Sequence, residues 1–235
     1  DEWHTRHVQA AQIARTLIGG THSMRSAGEK YLPKFASESL ANYRSRLMRS
    51  VCFNAFGKTV KDMTGKVFRA PITLGQDVDA RLKEYAENID NAGRHLNVFA
   101  RDVFFDAMQT GINFILVEMP VALKNMDGRP VTVAQEIAAK RRPYLIHLAV
   151  ESVIGFKSEQ AEDGSDFLTQ VRILETVAEP DGNYHVKRIE QVRVLEPSKW
   201  QIWRKAFGVD GRDEWRLFDE GATSLPFIPL VPVYI

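Results

Sequence analysis

The sequence has little of several features that point to particular classes of protein. Its single cysteine, Cys52, excludes an intramolecular disulfide framework and is typical of proteins that fold in a reducing, cytosolic environment. No apolar run approaches the roughly 20 residues of a membrane-spanning helix, and no signal peptide is recognisable at the start. The formal net charge of +1 lacks the basic excess that is usual in dedicated nucleic-acid-binding domains.

The common catalytic and cofactor motifs are missing as well. There is no GxGxxG after a strand, no HExxH and no CxxC. Residues Gly57-Lys58-Thr59 match only the end of a phosphate-binding loop, because Cys52 stands where that motif needs its first glycine. The segment is also predicted to lie in the middle of a helix, so we reject the motif. We expect no cofactor and a non-enzymatic protein.

What the sequence does contain is an ordinary globular composition, with 44% hydrophobic and 26% charged residues among 235. Helical patterns dominate the first part and strand patterns the last part, which predicts an α+β fold. We divide the chain into an N-terminal helix and loop (1–35), a helical region with a buried strand at 112–119 (36–142), and an antiparallel β region (143–235).

The most prominent pattern lies between Phe35 and Pro71. Apolar residues recur at helical spacing from Leu40 to Val67, while arginines and lysines occupy the opposite face. The pattern predicts one long helix with Ser37 as its N-cap, and two glycines are the expected points of a bend or split. These are Gly57 and Gly65.

Other patterns predict shorter elements on both sides of this segment. Residues 2–18 read as an amphipathic helix that is stopped by Gly19-Gly20, and residues 21–35 read as a loop. Further helices are predicted at about 77–90 and at 95–110, the latter closed by Gly111 as its C′ residue. The segment 121–142 is predicted to be an excursion outside the main fold, with a turn at Asp127-Gly128 and a short helix around 132–140.

The β region is predicted from alternating apolar residues separated by turn residues. A hairpin joins strands 166–178 and 183–195 through a turn at 179–183. Two prolines in the final strand, FIPLVPVYI, and Pro226 just before it favour an edge strand or an extended arm. The remaining strands are predicted in PYLIHLAV, VIGFKSE, WQIWRK and EWRLF.

Several polar residues were considered as candidate sites. His4 and His7 are spaced for a shared metal ion, but two ligands form a weak site. His147 and Glu151 form a possible acid–base pair without an evident nucleophile. In each case a structural role is the preferred interpretation.

Acidic, basic and aromatic residues raise three more possibilities. A Mg²⁺ site of the nuclease type is one, with its carboxylates one helical turn apart on a predicted helix and a third beyond it. Contact of a basic run with nucleic acid or an acidic partner is another, and base stacking on tryptophan is the third. The residues concerned are Asp102, Asp106 and Glu118; Lys140, Arg141 and Arg142; and Trp3, Trp200, Trp203 and Trp215. A polar helix stripe, a solvated surface and ordinary packing are the preferred interpretations.

The order of several motifs resembles the N-terminal region of tailed-phage and prophage portal proteins, in particular a portal-like family largely known as a domain of unknown function. The resemblance covers most of residues 24–235, and each motif is loose when taken alone. It is carried by YLPKFxxES, NYRSRLMRSVCFNAFGKTVKDMTGKVFRAP, TGINFILVEMP, RPYLIHLAVESVIGF and PFIPLVPVY.

This resemblance implies a structural subunit of a homo-oligomeric ring, typically of twelve copies, at one vertex of a capsid. DNA passes through such a ring without sequence-specific binding, and terminase, capsid and head–tail connector proteins dock on it. The implied location is the virion, with assembly in the host cytoplasm, and no membrane partner. The alternatives are a metal-dependent nuclease and another phage head or connector protein.

The ends of the chain suggest a part of a longer protein. The chain starts at Asp1 and ends on the apolar run LPFIPLVPVYI. We therefore expect mainly the wing part of a portal subunit, and we expect this piece to be monomeric or weakly associated in isolation.

Overall fold

The computed structural model describes residues 2–120, 132, 135, 141–207 and 213–235, and these form an α+β fold, which confirms the predicted class. Helices come first within these residues: α1 (Glu2–Ile18), α2 (Gly20–Ala27), α3 (Leu40–Arg49), α4 (Ala55–Val67), α5 (Ala80–Glu87) and α6 (Leu96–Thr110). The strands are β1 (Ile112–Glu118), β2 (Tyr144–Leu148), β3 (Val153–Gln160), β4 (Asp166–Asp181), β5 (His185–Glu196), β6 (Lys199–Phe207), β7 (Asp213–Ala222) and β8 (Leu230–Tyr234).

The chain folds into two compact units. The helical unit comprises His7–His147 and Pro232–Ile235, and the sheet unit comprises Asp1–Arg6 and Leu148–Val231. Among the helices described, none has both the length and the apolar character needed to cross a membrane.

The core of the helical unit forms around α6. Phe99, Val103 and Ala107 recur on one face of this helix and are all buried. Gly111 ends the helix in the left-handed conformation, with φ of 79°, and its N–H donates to the Ala107 carbonyl at 2.7 Å. The predicted helix and its C′ glycine are therefore confirmed. Strand β1 follows immediately and forms the centre of a three-stranded sheet in the order β2-β1-β8.

The sheet unit is a five-stranded antiparallel sheet in the order β3-β4-β5-β6-β7. Val153, Val171 and Ile173 are fully buried in its core. Trp3 packs edge-on against Phe156 with ring centroids 5.3 Å apart. This arrangement leaves β3 and β7 as the two edges of the sheet, while β8 is an edge of the smaller sheet, as its prolines predicted.

The prediction of one long helix between residues 35 and 71 was wrong. The segment forms α3 and α4, which are separated by an irregular connection at residues 50–54, and neither Gly57 nor Gly65 lies at the break. The helix also begins later than expected, since Ser39 is the N-cap and accepts a hydrogen bond from the Asn42 N–H at 3.2 Å. Hydrogen bonds from α1 and α2 hold the irregular connection, and a periodic pattern contains no information about them.

Two shorter predictions also need correction. Residues 21–35 are not only a loop, because α2 occupies the first part and a 3-10 turn follows at Gly28–Lys30. The hairpin turn is tighter than predicted, because strand pairing continues through Pro180–Val186 to Asp181–His185. Gly182, with φ of 71°, then reverses the chain. The predicted turn at Asp127-Gly128 and most of the predicted helix at 132–140 lie outside the described residues.

Asn54 caps α4, so replacing it should destabilise the helical unit. We expect Asn54→Ala to lower the free energy of unfolding by about 1–2 kcal/mol, since loss of an N-cap side chain typically costs this amount. Urea denaturation measures the change. Asn42→Ala, the same replacement at an exposed position in α3, is the control and should change stability by less than about 0.5 kcal/mol. Equal effects of the two substitutions would contradict the assigned role of Asn54.

Candidate functional site

Residues 50–54, called here the 50–54 connector, join α3 to α4 and are fixed at their end by Asn54. The Asn54 Oδ1 accepts the Gly57 N–H at 2.7 Å, which caps α4. The Nδ2 group of the same side chain donates to the Ile18 carbonyl at the end of α1, at 3.1 Å. One amide side chain therefore starts a helix and attaches the connector to a second helix.

The middle of the connector is held by α2. The Cys52 N–H donates to the Thr21 hydroxyl at 3.1 Å, and the Arg25 Nε donates to the Ser50 carbonyl at 2.9 Å. These bonds fix the backbone of a segment that is neither helix nor strand. Exposure alternates along this segment, since Val51 and Phe53 are exposed while Cys52 between them is only partly exposed.

The outward side chains of the connector are large and apolar. Val51 is 79% exposed and Phe53 is 89% exposed, and Met48 in the last turns of α3 is 66% exposed. Exposed apolar residues are common when isolated, but three within six residues, two of them on backbone fixed by hydrogen bonds, form a feature typical of interaction sites.

The surroundings of these apolar side chains are basic. Residues 44–54 contain three arginines and no acidic residue. Arg46 is occupied locally, because it donates two hydrogen bonds to the Glu38 carboxylate, at 2.9 and 2.8 Å, and these hold the pKa of Glu38 below its ordinary value. Arg44 and Arg49 are exposed and have no ion-pair partner among the described residues. We call Arg44, Met48, Arg49, Val51 and Phe53 the connector surface.

Strand β7 presents a second exposed surface, on the sheet unit. Residues 214–220 are all exposed, and β7 pairs with β6 on one side only. This stretch combines three aromatic or aliphatic side chains with three acids and one arginine. Its apolar members are Trp215, Leu217 and Phe218, and its acids are Glu214, Asp219 and Glu220. We call residues 214–220 the β7 surface.

The candidate carboxylate Asp106 lies in a buried polar cluster within the helical unit. Its side chain pairs with Arg15 of α1 and lies 3.2 Å from the His147 Nε2 on β2. Asn113, which is fully buried, donates from Nδ2 to the Val103 carbonyl at 2.7 Å and lies 3.4 Å from Asp106. Burial alone raises the pKa of Asp106, but hydrogen bonds from His147 and Arg15 outweigh it and hold the pKa below its ordinary value.

The cluster cross-links four elements of the helical unit, α1, α6, β1 and β2, and does not form a catalytic arrangement. A protonated His147 donates to Asp106, whereas a neutral His147 with its proton on Nδ1 accepts from the Asn113 amide 3.0 Å away. Arg15 occupies the other carboxylate oxygen, and no serine, threonine or cysteine hydroxyl or thiol is hydrogen-bonded to the histidine in the described residues. His147, the candidate for an acid–base pair with Glu151, thus pairs with Asp106.

Asp106 does not form a metal site with the other carboxylates of the nuclease hypothesis, Asp102 and Glu118, in the described residues. Asp102 is half-exposed, with its carboxylate 3.7 Å from Arg94 and 3.9 Å from Arg101. In the part of the chain that the structure describes, no group of three or more histidine, cysteine, aspartate or glutamate side chains is placed to hold a metal ion. His4, considered as a metal ligand with His7, lies instead with its Nε2 3.2 Å from the Glu151 carbonyl.

The Gly57-Lys58-Thr59 segment lies in the first turn of α4, so the expectation of a mid-helix position was wrong. The rejection of the phosphate loop holds for other reasons. No strand lies within residues 2–56, the Gly57 N–H donates to Asn54, and Lys58 pairs with Asp62 at 2.8 Å.

The remaining basic and aromatic candidates have packing roles. Arg141 donates to the Pro120 carbonyl, and Arg142 donates to the Asn88 carbonyl and lies over the Tyr85 ring. Lys140 lies outside the described residues.

The tryptophans are likewise engaged with neighbouring residues of the sheet unit. Trp200 packs on Gly221, where an added Cβ would lie 2.6 Å from the indole. Trp203 donates to Gln201 at 3.4 Å, and the Lys205 ammonium lies 5.5 Å from the centre of the Trp215 ring.

A shallow groove of about 240 Å³ lies between the end of α4 and the start of α6. It is lined by Phe68, Arg69, Ala70, Pro71, Asn97, Val98 and Arg101. Because this lining contains no acid, histidine, thiol or hydroxyl, the groove offers no acid–base or nucleophilic chemistry.

The sequence did not reveal the connector surface, because Val51 fits the apolar stripe of the predicted long helix. The sequence does contain two signals of a break in the helix, Ser50 and Asn54, because both residue types are common at helix ends. Asp106 carried a signal as well, since it falls on the same helical stripe as Phe99 and Val103. A charge on a buried stripe indicates a buried partner.

Neither a scan against protein-family models nor a search of the curated proteins found a match to this chain.

The Asp106 cluster predicts a specific loss of stability. Asp106→Asn leaves Arg15 and His147 without their carboxylate, and we expect it to lower the free energy of unfolding at pH 7 by about 3 kcal/mol. The control Asp102→Asn changes a half-exposed carboxylate and should cost less than about 1 kcal/mol. Chemical denaturation of both variants measures the difference.

The same variant should also change the response to acid. Because the folded pKa of Asp106 is lowered, its stabilising contribution is present above the unfolded pKa of about 3.9 and is lost as the pH falls through the folded value. Asp106→Asn should therefore flatten the pH dependence of unfolding below pH 4. If the variant lost stability as steeply as the parent when the pH falls below 4, the assigned role of Asp106 would be contradicted.

Proposed function

We propose that this chain is a structural subunit of a portal-like ring, through which DNA is packaged into and ejected from a phage capsid. Each copy contacts two neighbours, and terminase and head–tail connector proteins dock on the assembled ring. We name a portal because the order of several sequence motifs resembles that of portal proteins. The observation that carries it is the connector surface.

The connector surface is suited to permanent contact with another protein. Val51 and Phe53 are held in solvent by hydrogen bonds to their neighbouring backbone. Burial of an aliphatic or aromatic side chain contributes about 1.5–3 kcal/mol of stabilisation. A single copy gains none of this at Val51 or Phe53, because both side chains remain in solvent. Since the backbone is already fixed, little conformational entropy is lost on binding. Large apolar side chains in such positions commonly dominate the energy of an interface.

The exposed strands supply further surface for subunit contacts. Strand β8 is an edge of the three-stranded sheet, and Val231 and Tyr234 on it are exposed. Strand β7 is an edge of the five-stranded sheet. Edge strands offer unpaired backbone groups to another chain, and soluble monomers usually cover or interrupt them.

The charge of the chain agrees with a conduit for DNA. Each phosphate neutralised by lysine or arginine adds affinity, and a channel through which DNA moves must avoid a strong grip. A net charge of +1 over 235 residues satisfies this condition. A virion location follows from the proposed role.

Removal of the most exposed side chain of the connector surface, Phe53, tests the proposal. In the full-length protein, Phe53→Ser should weaken self-association by at least about tenfold, because a contact of about 1.4 kcal/mol or more is lost. Sedimentation velocity over a range of concentrations measures the association. The fold should be unaffected, since the side chain is 89% exposed.

Tyr184→Ser is the matched control, because Tyr184 is a 93% exposed aromatic residue at the tip of the β4–β5 hairpin. It should leave self-association unchanged. If both substitutions weakened self-association equally, or if Phe53→Ser did not weaken it, the connector surface would not be the contact between copies. The proposal would then lose its main support.

A further inference from the structure

The shallow groove between the end of α4 and the start of α6, called here the α4–α6 groove, offers mainly hydrogen-bond donors to a ligand. Arg69 on the α4 side has no ion-pair partner among the described residues. Arg101 on the α6 side reaches only the half-exposed Asp102, at 3.9 Å. The Asn97 Oδ1 already accepts the Ile72 N–H, while its Nδ2 group makes no hydrogen bond within the described residues. The groove therefore suits an acceptor with negative charge.

The rest of the groove lining is apolar. Phe68 packs edge-on against Phe104 of α6 with ring centroids 5.6 Å apart, and Val98 is 40% exposed. The groove volume of about 240 Å³ is below the roughly 300–1,000 Å³ of typical small-molecule sites. An apolar side chain with an acidic neighbour, presented by a protein, fits this groove better than a cofactor does.

The end of the β3–β4 hairpin carries side chains of this kind. Residues 157–167, called here the hairpin tip, contain four acids and a single lysine. Phe167 is 46% exposed and lies directly opposite Glu159 in the strand register, so the two side chains share one face. The acids are all exposed and have no ion-pair partner among the described residues; they are Glu159, Glu162, Asp163 and Asp166.

The hairpin tip also extends beyond the rest of its sheet. Pairing of β4 with β5 starts at Val171 and Leu195, so the part of β4 before Val171 pairs with β3 alone. A two-stranded ribbon has little stability of its own, and contact with another surface stabilises it. The tip is thus a convex acidic element with an exposed aromatic ring, whereas the groove is concave, basic and apolar.

We propose that the hairpin tip of one copy of this chain docks in the α4–α6 groove of a second copy. The inference rests on the proposed ring function and assigns a contact between neighbouring subunits in addition to the connector surface. A second copy is favoured as the occupant because the tip supplies the unpaired carboxylates and the apolar ring that the groove suits. Complementary charges around an apolar contact orient the partners and exclude wrong pairings.

The groove and the tip are different surfaces, so the contact is heterologous. Each copy then uses its groove toward one neighbour and its tip toward the other, which generates a closed ring when the rotation per copy divides a full turn. The use of two distinct surfaces thus agrees with the proposed ring.

A charge-reversal exchange in the full-length protein tests the docking. The groove variant is Arg69→Glu with Arg101→Glu, and the tip variant is Glu159→Lys with Glu162→Lys. Each variant alone places like charges across the contact, so self-association should weaken about tenfold or more in sedimentation velocity. The chain that carries all four substitutions restores opposite charges and should recover most of the association.

Two further pairs of reversals are the matched controls. Lys187→Glu with Arg188→Glu reverses two exposed cations on β5, and Glu29→Lys with Glu84→Lys reverses two exposed acids of the helical unit. Both controls should leave self-association unchanged. Thermal melts followed by circular dichroism check that every variant folds like the parent. Higher ionic strength should reduce the effect of the groove and tip variants, because exposed charges are screened by salt.

The outcomes separate this inference from the proposed function. If the parent protein associates but neither reversal weakens it, or the fourfold variant fails to recover, the docking is wrong and the ring proposal stands. If only the groove variant weakens association, the groove binds a different acidic segment and the inference is overturned. If the groove variant changes retention on double-stranded DNA but not self-association, the groove contacts nucleic acid and the inference is likewise overturned. A monomeric parent protein overturns both proposals.

Discussion

The two hydrogen bonds of the Asn54 side chain determine where α4 begins and how the chain enters it from α3. With the N-terminal turn of α4 capped and the side chain also bonded to Ile18, the chain cannot continue one helix from residue 40 to residue 67. The break removes Val51 from the predicted helical stripe and leaves Val51 and Phe53 as exposed side chains on a fixed backbone. A local capping interaction thereby creates the surface to which we assign assembly.

The Asp106 cluster serves a different purpose in the same unit. It joins α1, α6 and β2 through one buried carboxylate that is paired with Arg15 and His147. Such pairs seldom add much net stability, but removal of one member is costly because a buried charge loses its partner. A histidine beside a buried carboxylate is also an arrangement that occurs in catalytic sites. Here the arginine and the asparagine amide complete a structural network.

Much of the fold was predictable from the sequence, because local signals agree with tertiary packing in α6, at Gly111 and in the β4–β5 hairpin. Apolar spacing and turn residues determine those elements directly. The break at residues 50–54 was not predictable in this way, since it depends on hydrogen bonds to Thr21 and Arg25, more than twenty positions away. The identity of β7 as an edge was hidden for a similar reason, because strand order is a property of the whole sheet.

We propose that this chain builds a ring, and negative-stain imaging of the full-length protein together with its native mass is the decisive experiment. We expect closed particles with a central hole and a mass of about a dozen copies, as the resemblance to portal proteins implies. A stable monomer or dimer over a wide range of concentration and salt would contradict it. The exposed connector surface would then require a different partner.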